Sequence, residues 1–554
     1  MAEVPEDDDR WLEDDLWSFV TLHIRVNDEA RATPGYLFIA PYDFHRPNVL
    51  SGTYMAHQMG PHIYEPNGDL IWSGADLFGD RNTLDFKIAS FGGDTYLTFV
   101  TGMSHEWAPL PQGANIMLDA SYQLVLNLTS AVERGRNLDP HEFTIVDDGG
   151  AAITAWSTSS AHTAADDKSG WVGQTIANGF SLVDLETRRS LFDWMSTDHV
   201  TVSESTSEPL GGVSTDRWDY FHMNAVDKTP SGDYLVSARH TNTIYLVSGT
   251  DGSVQWRLGG QNSSFVLAGF SFSRQHDARV LSQNDTVTVV SMLDNAADLT
   301  EEHPATSSTS SVLVVALHTS ATPMIATLLQ RVQRPDGRYT RLRGNAQTLD
   351  NGHIFAAWSD NAYVSEHTPS GEMVYEASFA SNRFATYRTY KHRFTGRPVD
   401  KPAVKAFASA TSRRELTTIL YASWNGATEM SSWRFYSADR GIFDVALIGD
   451  VPRTGFETAC VCRGVHAIVF AEALDMSGNS LANSSLVSTE LPLGWHDAGP
   501  RLSILAGGPM LSILDSRLRL VILCAMLVAG TVIALCCRRG RLRSRSFLRR
   551  IKLI

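Results

Sequence analysis

Short runs of apolar and polar residues, separated by glycine-containing turns, recur along this chain. Tyr234–Ala238 and residues 244–247 are rich in β-forming side chains, and residues 254–258 alternate apolar and polar positions. Turn-forming clusters lie between these runs, around Gly232 and Gly252. The pattern predicts a three-stranded antiparallel meander.

The same order of elements occurs twice. Residues 231–256 and 351–375 each read strand, loop, strand, glycine turn and strand. A turn glycine also precedes an aromatic residue by four positions at Trp72, Trp256 and Tyr375. Self-similar antiparallel units without a helical period predict an all-β fold of the β-propeller type, and a β-sandwich is the alternative. The three aromatic residues should then be buried at equivalent places in their blades.

Three histidines share one position relative to the hairpin turns. His141, His222 and His276 each precede a turn by about ten residues, and the equivalent place in the later repeat is near Gly344. Equivalent positions of successive blades surround one axis. The pattern therefore predicts that the three side chains converge at the mouth of a central channel.

Composition sets broader limits. The chain has 554 residues, of which 43% are hydrophobic and 19% are charged, as in globular proteins. Its net charge of −15 argues against a nucleic-acid groove. Cys460 and Cys462 should share one face of a strand, as core thiols or, alternatively, as a redox pair. The histidine and cysteine spacings predict no transition-metal ligand set and no cofactor, whereas calcium in a propeller channel stays open.

A set of ordered motifs resembles the arylsulfotransferase family, in particular its eukaryotic, fungal-type branch. The resemblance covers roughly residues 34–486. The motifs are His222-x-Asn224, Ser237-Ala238-Arg239-His240, Trp256-Arg257-Leu258-Gly259-Gly260, Gln275-His276-Asp277-Ala278-Arg279, Leu293-Asp294-Asn295, Pro140-His141-Glu142-Phe143 and Ser423-Trp424-Asn425-Gly426-Ala427-Thr428.

The resemblance implies a six-bladed propeller that transfers a sulfuryl group between phenols through a sulfated histidine, without a nucleotide donor. By motif, His276 corresponds to the nucleophile. The other corresponding residues are expected to bind sulfate or to transfer protons, and they are His222, Asn224, Arg239 and His141. Two features of the bacterial enzymes, a signal peptide and paired cysteines, are not evident in this sequence.

The chemical properties of these side chains suit sulfuryl transfer, whether or not the family resemblance is considered. Sulfuryl transfer resembles phosphoryl transfer, so a site must position the reacting groups and supply positive charge. Arg239 and His222 can supply that charge, and a neutral imidazole is a competent nucleophile near pH 7. Arg279 either binds the anion as well or pairs with Asp277. His240 is expected to face away from Arg239, because neighbouring residues on a strand alternate faces, and to be structural.

The C-terminal part has a different character. Residues 520–537 form an uncharged run long enough to span a bilayer, and basic residues without acidic ones follow it. The predicted organisation is an acidic segment with a first strand at 1–33, a propeller at 34–490, a linker at 491–517, a transmembrane helix at 518–537 and a basic tail at 538–554. The positive-inside rule puts this tail in the cytosol and the propeller in a lumen or outside the cell.

The sequence signals for membrane topology disagree in part. Residues 1–15 are acidic and contain no apolar stretch of a secretory signal, and a C-terminal anchor alone would leave the large domain cytosolic. Four glycosylation sequons instead favour the lumen. These begin at Asn127, Asn262, Asn284 and Asn483.

Three hypotheses for function follow. The first is a membrane-anchored arylsulfotransferase-like enzyme acting on small aryl sulfates and phenols. The second is a propeller that binds a ligand or acts as a scaffold on a membrane without turnover. The third, a lactonase-type hydrolase, would require channel carboxylates around calcium, which the repeat position does not provide.

Overall fold

The computed structural model describes residues 20–43, 59–78, 82–103, 109–129, 136–162, 173–207, 217–297, 305–360, 362–381, 384–412, 415–439 and 444–492. The strands in these ranges, in chain order, are β1 Leu22–Asn27, β2 Tyr36–Asp43, β3 His62–Tyr64, β4 Leu70–Ser73, β5 Asn82–Phe91, β6 Asp94–Met103, β7 Pro109–Leu118, β8 Leu124–Leu128, β9 Asn137–Val146, β10 Ala151–His162, β11 Gly173–Asp184, β12 Ser190–Met195, β13 Met223–Lys228, β14 Tyr234–Ala238, β15 Thr243–Val247, β16 Val254–Gly259, β17 Phe265–Ala268, β18 His276–Gln283, β19 Val287–Asp294, β20 Ser311–His318, β21 Met324–Gln333, β22 Asn345–Thr348, β23 Ile354–Ala357, β24 Val364–His367, β25 Met373–Phe379, β26 Phe384–His392, β27 Ala403–Ser412, β28 Glu415–Ser423, β29 Ser432–Ser437, β30 Ala446–Pro452, β31 Glu457–Arg463, β32 Ile468–Leu474, β33 Ser480–Asn483 and β34 Val487–Ser488.

Helix is almost absent from the described residues. Short 3-10 turns occur at Ala75–Phe78, Asp147–Gly149, Ser196–Asp198 and Val202–Glu204. No helix in these ranges has the length and apolar character needed to cross a membrane. The predicted span at 520–537 lies outside the described residues.

Six of the sheets have the form of propeller blades. Sheet 1 has the strand order β26-β2-β3-β4, sheet 2 is β5 to β8, sheet 3 is β9 to β12, and sheet 4 is β13 to β16. Sheet 5 is β18 to β21 with β17 at its edge, and sheet 6 is β22 to β25 with β1 at its edge. The first strands contact one another in the order β26, β5, β9, β13, β18 and β22, and β22 contacts β26. These small antiparallel sheets are consistent with a propeller.

Strands that are distant in sequence join the two ends of this region. β1 pairs with β25, so that Leu22 lies opposite Phe379. β26 pairs with β2, so that Tyr36 lies opposite His392. Both pairs are antiparallel ladders, whose backbone hydrogen bonds tie residues 22–43 to residues 373–392.

Burial explains why the second strand of sheet 4, β14, is mostly apolar, whereas the fourth strand, β16, alternates apolar and polar residues. In β14, Val236 packs with residues of sheet 3, whereas the adjacent Leu235 packs with residues of sheet 5. A sheet covered on both faces requires apolar side chains in both directions. Trp72, Trp256 and Tyr375 all lie in the fourth strand of their sheets and are buried, as the repeat predicted.

The strands after residue 392 form two further sheets. β27, β28 and β31 make one sheet, and β29, β30, β32, β33 and β34 make another. The two sheets share a core that contains Trp433, Phe435, Cys460 and Cys462. The assignment of residues 34–490 to one propeller stays a prediction. The cysteine sulfurs lie 3.5 Å apart on one face of β31, and both thiols are buried and free.

The late family-like motif joins these last two sheets to sheet 1. The side chain of Asn425 accepts a hydrogen bond from the N–H of Ser73 and donates one to its carbonyl, at 2.9 and 3.0 Å. The Tyr122 hydroxyl donates to the carbonyl of Gly426 at 2.7 Å, and its ring stacks on Trp72 at 4.6 Å. This motif therefore has a structural role here.

Candidate functional site

The predicted histidines lie in or directly before the first strands of consecutive sheets. His141 is in β9 of sheet 3, His222 directly precedes β13 of sheet 4, and His276 begins β18 of sheet 5. Gly344, at the equivalent repeat position, directly precedes β22 of sheet 6. Sheets 3, 4 and 5 thus each have one predicted histidine in or beside their first strand.

His141 and His222 face each other, and each has a carboxylate partner. Their ring centroids are 5.1 Å apart. Nδ1 of His141 is hydrogen-bonded to Asp139, and Nδ1 of His222 lies 2.5 Å from Oδ2 of Asp219. Each carboxylate accepts the Nδ1–H of its imidazole and so fixes the orientation of the ring, with Nε2 on the side away from the carboxylate. Sequence reasoning missed both partners, although an aspartate two or three residues before each histidine was the available signal.

His240 belongs to the same group, contrary to the expectation that it faces away from Arg239. Its ring centroid is 4.6 Å from that of His222. Nη1 of Arg239 donates to Nε2 of His240 at 2.8 Å, and Nδ1–H of His240 donates to the carbonyl of Asp219 at 2.5 Å. Burial, and then the nearby charge of His222, lower the pKa of His240 to about 3. Strand alternation does not apply here, because β14 ends at Ala238.

The same residues raise the question of a metal site, which the sequence did not predict. Ligand atoms of Asp219, His222 and His240 lie within 4.8 Å of one another. However, the described hydrogen bonds place a proton on Nδ1 of both histidines and direct the remaining lone pair of His240 at Arg239. A divalent cation would have to replace these bonds beside a guanidinium group. The arrangement therefore favours an anion over a metal.

Arg239 supplies positive charge next to the histidines, and Arg343 contacts His276 through its backbone. Arg239 is 6% exposed, and its Nη2 donates to the carbonyl of Arg341 at 3.3 Å. The guanidinium of Arg343 lies over the ring of Tyr42 at 5.0 Å. Burial lowers the pKa of Arg343, and the charge of Arg239 acts in the same direction. Sequence reasoning missed Arg343, although it directly precedes Gly344, which the repeat had marked.

His276 is buried, and both of its ring nitrogens are hydrogen-bonded. Nδ1 is 2.9 Å from the carbonyl of Arg274 and 2.8 Å from Oδ1 of Asn295, both acceptors, so Nδ1 carries the proton. Nε2 accepts the backbone N–H of Arg343 at 3.1 Å. Burial, followed by the charge of Arg239, holds the pKa of His276 well below its usual value. This imidazole is therefore neutral at pH 7, with its lone pair on Nε2.

Asn224 lies beside this group, fully buried. Its Nδ2 donates to the carbonyl of Gln275 at 2.8 Å, next to His276. Its own carbonyl accepts hydrogen bonds from Nη2 of Arg388 at 2.7 Å and from the Tyr387 hydroxyl at 3.3 Å. Among the described residues, Oδ1 of Asn224 is buried without a hydrogen-bond donor. Asn224 thus fixes the start of β18 against β13.

Arg279 lies in a different cluster from the histidines. Its guanidinium contacts Glu142 at 2.7 Å and Asp277 at 2.8 Å, and it donates to the carbonyl of Val226 at 3.2 Å. Of the two roles considered for Arg279, these contacts correspond to pairing with Asp277.

The charged residues around Arg279 come from the first strands of four sheets, which are β5, β9, β18 and β26. Arg388, which is 1% exposed, lies 2.8 Å from Asp85 and 3.3 Å from Asp277. Lys87 lies 2.5 Å from Asp85 and 3.3 Å from Glu142. Burial alone would raise the pKa of Glu142, but the surrounding cations hold it below its usual range. In β9, β18 and β26 these charged residues directly follow His141, His276 and Tyr387, so the cluster lies one step further along the strands. We call this group the ion cluster.

A separate cavity lies between sheets 5 and 6. Its volume is about 430 Å³, and its lining includes Arg25, Arg334, Asp360, Tyr363 and Glu376. The arginines there are paired, since Arg334 lies 3.6 Å from Asp360 and Arg25 lies 3.7 Å from Glu376. This cavity contains none of the predicted site residues.

The four sequon asparagines are all exposed. Asn127 is in β8, Asn262 follows β16, Asn284 is in the turn after β18, and Asn483 ends β33. Exposure is a requirement for glycosylation, and all four positions meet it.

A comparison of the sequence with known protein families gives one match. The family model "Arylsulfotransferase (ASST)" matches residues 112–380. The match supports the arylsulfotransferase family. It does not distinguish the fungal-type branch. All six residues predicted to form the arylsulfotransferase site, from His141 to Arg279, lie inside the matched range.

Several solved structures resemble the chain at low identity. A Bacteroides caccae protein of unknown function is 11% identical, with a TM-score of 0.37 over 65% of this chain and 100% of its own. Apo AztD from Citrobacter koseri is 9% identical, with a TM-score of 0.28 over 66% and 99%. The GH43 protein BlXynB from Bacillus licheniformis is 8% identical, with a TM-score of 0.29 over 73% and 88%. No curated protein matches the chain.

Proposed function

We propose that this protein is an arylsulfotransferase-like enzyme that moves a sulfuryl group from an aryl sulfate to a phenol through a sulfated histidine. The observation that carries the proposal is the grouping of two accessible histidines and Arg239 next to a neutral His276, all inside the family-matched residues. Positive charge and positioned imidazoles are what sulfuryl transfer requires.

In this proposal His276 is the residue that carries the sulfuryl group. Its Nδ1 proton is held by Arg274 and Asn295, so the lone pair is on Nε2. Nε2 attacks sulfur, an N–S bond forms, and the bond between sulfur and the aryl oxygen of the donor breaks. The acceptor phenol reverses these changes. Before attack, Nε2 must release the backbone N–H of Arg343.

The proposed scaffold is a six-bladed propeller made of sheets 1 to 6, with their first strands around the centre. The contacts among these first strands support it. We further propose that residues 520–537 anchor the protein in a membrane, with the propeller in the lumen and the basic tail in the cytosol. Deleting residues 515–554 should then release the protein from membranes. Glycosidase-sensitive mass and protease protection in sealed microsomes would support this orientation, and an unglycosylated, protease-sensitive propeller would exclude it.

The activity is tested with purified full-length protein, 4-nitrophenyl sulfate as donor and a second phenol as acceptor. We expect release of 4-nitrophenol to depend on the acceptor, and mass spectrometry after incubation with donor alone to locate the sulfuryl group on His276. His276→Asn should abolish transfer without unfolding the protein. Ligand binding without transfer would support the non-catalytic alternative. A sulfuryl group on His222 instead would contradict the assignment of His276.

A further inference from the structure

His276 differs from the two neighbouring site histidines in the kind of group that holds its Nδ1. We propose that Asn295 is the positioning residue of this nucleophile, because its amide holds the Nδ1–H with a neutral oxygen and so keeps the lone pair on Nε2. This inference rests on the proposed sulfuryl transfer. Asn295 belongs to the Leu293-Asp294-Asn295 motif, for which the sequence suggested no role.

The orientation of the Asn295 amide is fixed by backbone carbonyls. Asn295 directly follows β19 and is fully buried. Its Nδ2 donates to the carbonyls of Thr340 at 2.7 Å and of Arg343 at 3.0 Å, and carbonyls can only accept hydrogen bonds. The amide oxygen must therefore face His276, whose Nδ1 lies 2.8 Å from Oδ1. Because this oxygen is also only an acceptor, the proton of the imidazole stays on Nδ1.

The neutral partner separates His276 from the histidines beside it. His141 and His222 each donate their Nδ1–H to the carboxylate of an aspartate. A carboxylate next to an imidazole favours the imidazolium, in which both ring nitrogens carry protons. Such a ring has no lone pair with which to attack sulfur. The amide oxygen of Asn295 holds the same N–H without a charge, so it orients the ring and preserves the nucleophilic form.

Among the described residues, no carboxylate pairs with the ring of His276. Asp277 lies in the ion cluster, and Asp294 accepts two backbone N–H groups. Burial, and then the charge of Arg239, hold the pKa of His276 well below its usual value, whereas the hydrogen bond to Asn295 acts in the opposite direction. The other titratable groups that act on this ring are His222 and His141. The surroundings therefore contain no anion that would protonate Nε2.

The Asn295 amide also fixes the backbone that covers the second ring nitrogen. The carbonyl of Arg343 accepts from Nδ2 of Asn295, and the N–H of Arg343 donates to Nε2 of His276 at 3.1 Å. Arg343 has a φ of +62°, in the left-handed region that few residues with a β-carbon adopt. One side chain therefore positions the groups at both nitrogens of the imidazole.

The proton on Nδ1 is needed in both halves of the reaction. In the first half, the lone pair of Nε2 forms the N–S bond, the S–O bond to the donor breaks, and its electron pair leaves on the aryl oxygen. The ring then carries a positive charge and keeps its Nδ1 proton. In the second half, the acceptor oxyanion attacks sulfur, the N–S bond breaks, and Nε2 recovers its pair in a neutral imidazole. Without the Nδ1 proton, the leaving group would be an imidazolide anion, which is much poorer.

The variant Asn295→Asp tests this role, because it replaces the neutral oxygen with a carboxylate of nearly the same shape. We expect the titration midpoint of His276 to rise by about 1–3 pH units, as an opposite charge at this distance produces. The midpoint is measured from ¹⁵N spectra of full-length, histidine-labelled protein over a pH series, with His276 assigned by its absence in His276→Asn. The rate of the 4-nitrophenol burst with donor alone should fall below the same midpoint.

Two further variants separate charge from structure. Asn295→Ala removes the hydrogen bonds without adding a charge, so it should slow both halves of the reaction and leave the midpoint in place. Asn345→Asp is the matched control. Asn345 is also buried, and its side chain donates to the carbonyl of Thr389 at 3.0 Å and accepts its N–H at 2.9 Å. This variant should not move the midpoint of His276.

Two outcomes would overturn the role of Asn295. These are an unmoved midpoint in Asn295→Asp and an equal rise in Asn345→Asp. The spectra need no turnover, so they test the contact between Asn295 and His276 separately from the enzymatic activity. A raised midpoint in a protein that transfers no sulfuryl group from any donor would refute the proposed function and leave Asn295 as a structural partner of His276.

Discussion

A substitution of Arg388 tests whether the ion cluster stabilises the packing of the first strands. Its guanidinium is buried, 2.8 Å from Asp85 and 3.3 Å from Asp277, and it also donates to the carbonyl of Asn224. Arg388→Met keeps much of the side-chain volume but leaves buried carboxylates with less positive charge. Removing one partner of a buried ion pair typically costs about 3–5 kcal/mol of unfolding free energy. We expect a loss of that size.

Urea unfolding of the full chain, followed by tryptophan fluorescence, measures this loss. The matched control is Arg434→Met, because Arg434 pairs with Asp450 at 3.1 Å on the surface, where solvent screens the pair and its loss should change stability little. Adding Asp85→Asn to Arg388→Met should recover part of the loss, since it removes one uncompensated charge. A loss for Arg388→Met no larger than that of the control would refute the account of the ion cluster.

Two further variants test local features. Burial raises the pKa of Asp294 to about 7, so the folded protein favours the protonated form, and wild-type stability is lost as the pH rises from about 4 to 7. The unfolding free energy of Asp294→Asn relative to wild type should therefore grow by up to about 4 kcal/mol between pH 4 and 8, and a difference independent of pH would contradict the buried acid. Gly426→Ala would place a β-carbon 2.3 Å from the Tyr122 ring at a φ of +94°, whereas Gly232 has a φ of +90° with no neighbour within 4 Å. Gly426→Ala should lower the urea midpoint clearly more than Gly232→Ala, and equal effects would show that backbone strain alone matters.

The sequence predicted those parts of the fold that depend on local pattern. Turn glycines and alternating side chains located the strands around Gly232 and Gly252, and the repeat placed Trp72, Trp256 and Tyr375 in equivalent strands. Such features require information from only a few neighbouring residues.

Features that depend on contacts between distant residues were not predictable. Arg388 meets Asp85 across 303 positions of the sequence, and no pattern in either segment indicates the other. The same holds for the hydrogen bond from the backbone of Arg343 to His276, which decides how accessible the predicted nucleophile is. Motif resemblance selected histidines that the fold places on neighbouring sheets, whereas the burial and the hydrogen-bond partners of these histidines came only from the fold.

The ion cluster also couples the stability of the sheets to the position of the site histidines. Glu142 and Asp277 directly follow His141 and His276, and their ion pairs with Arg279 and Arg388 join β9, β18 and β26. A substitution in the cluster should therefore displace the neighbouring imidazoles, even though the substituted side chain belongs to a separate group of residues.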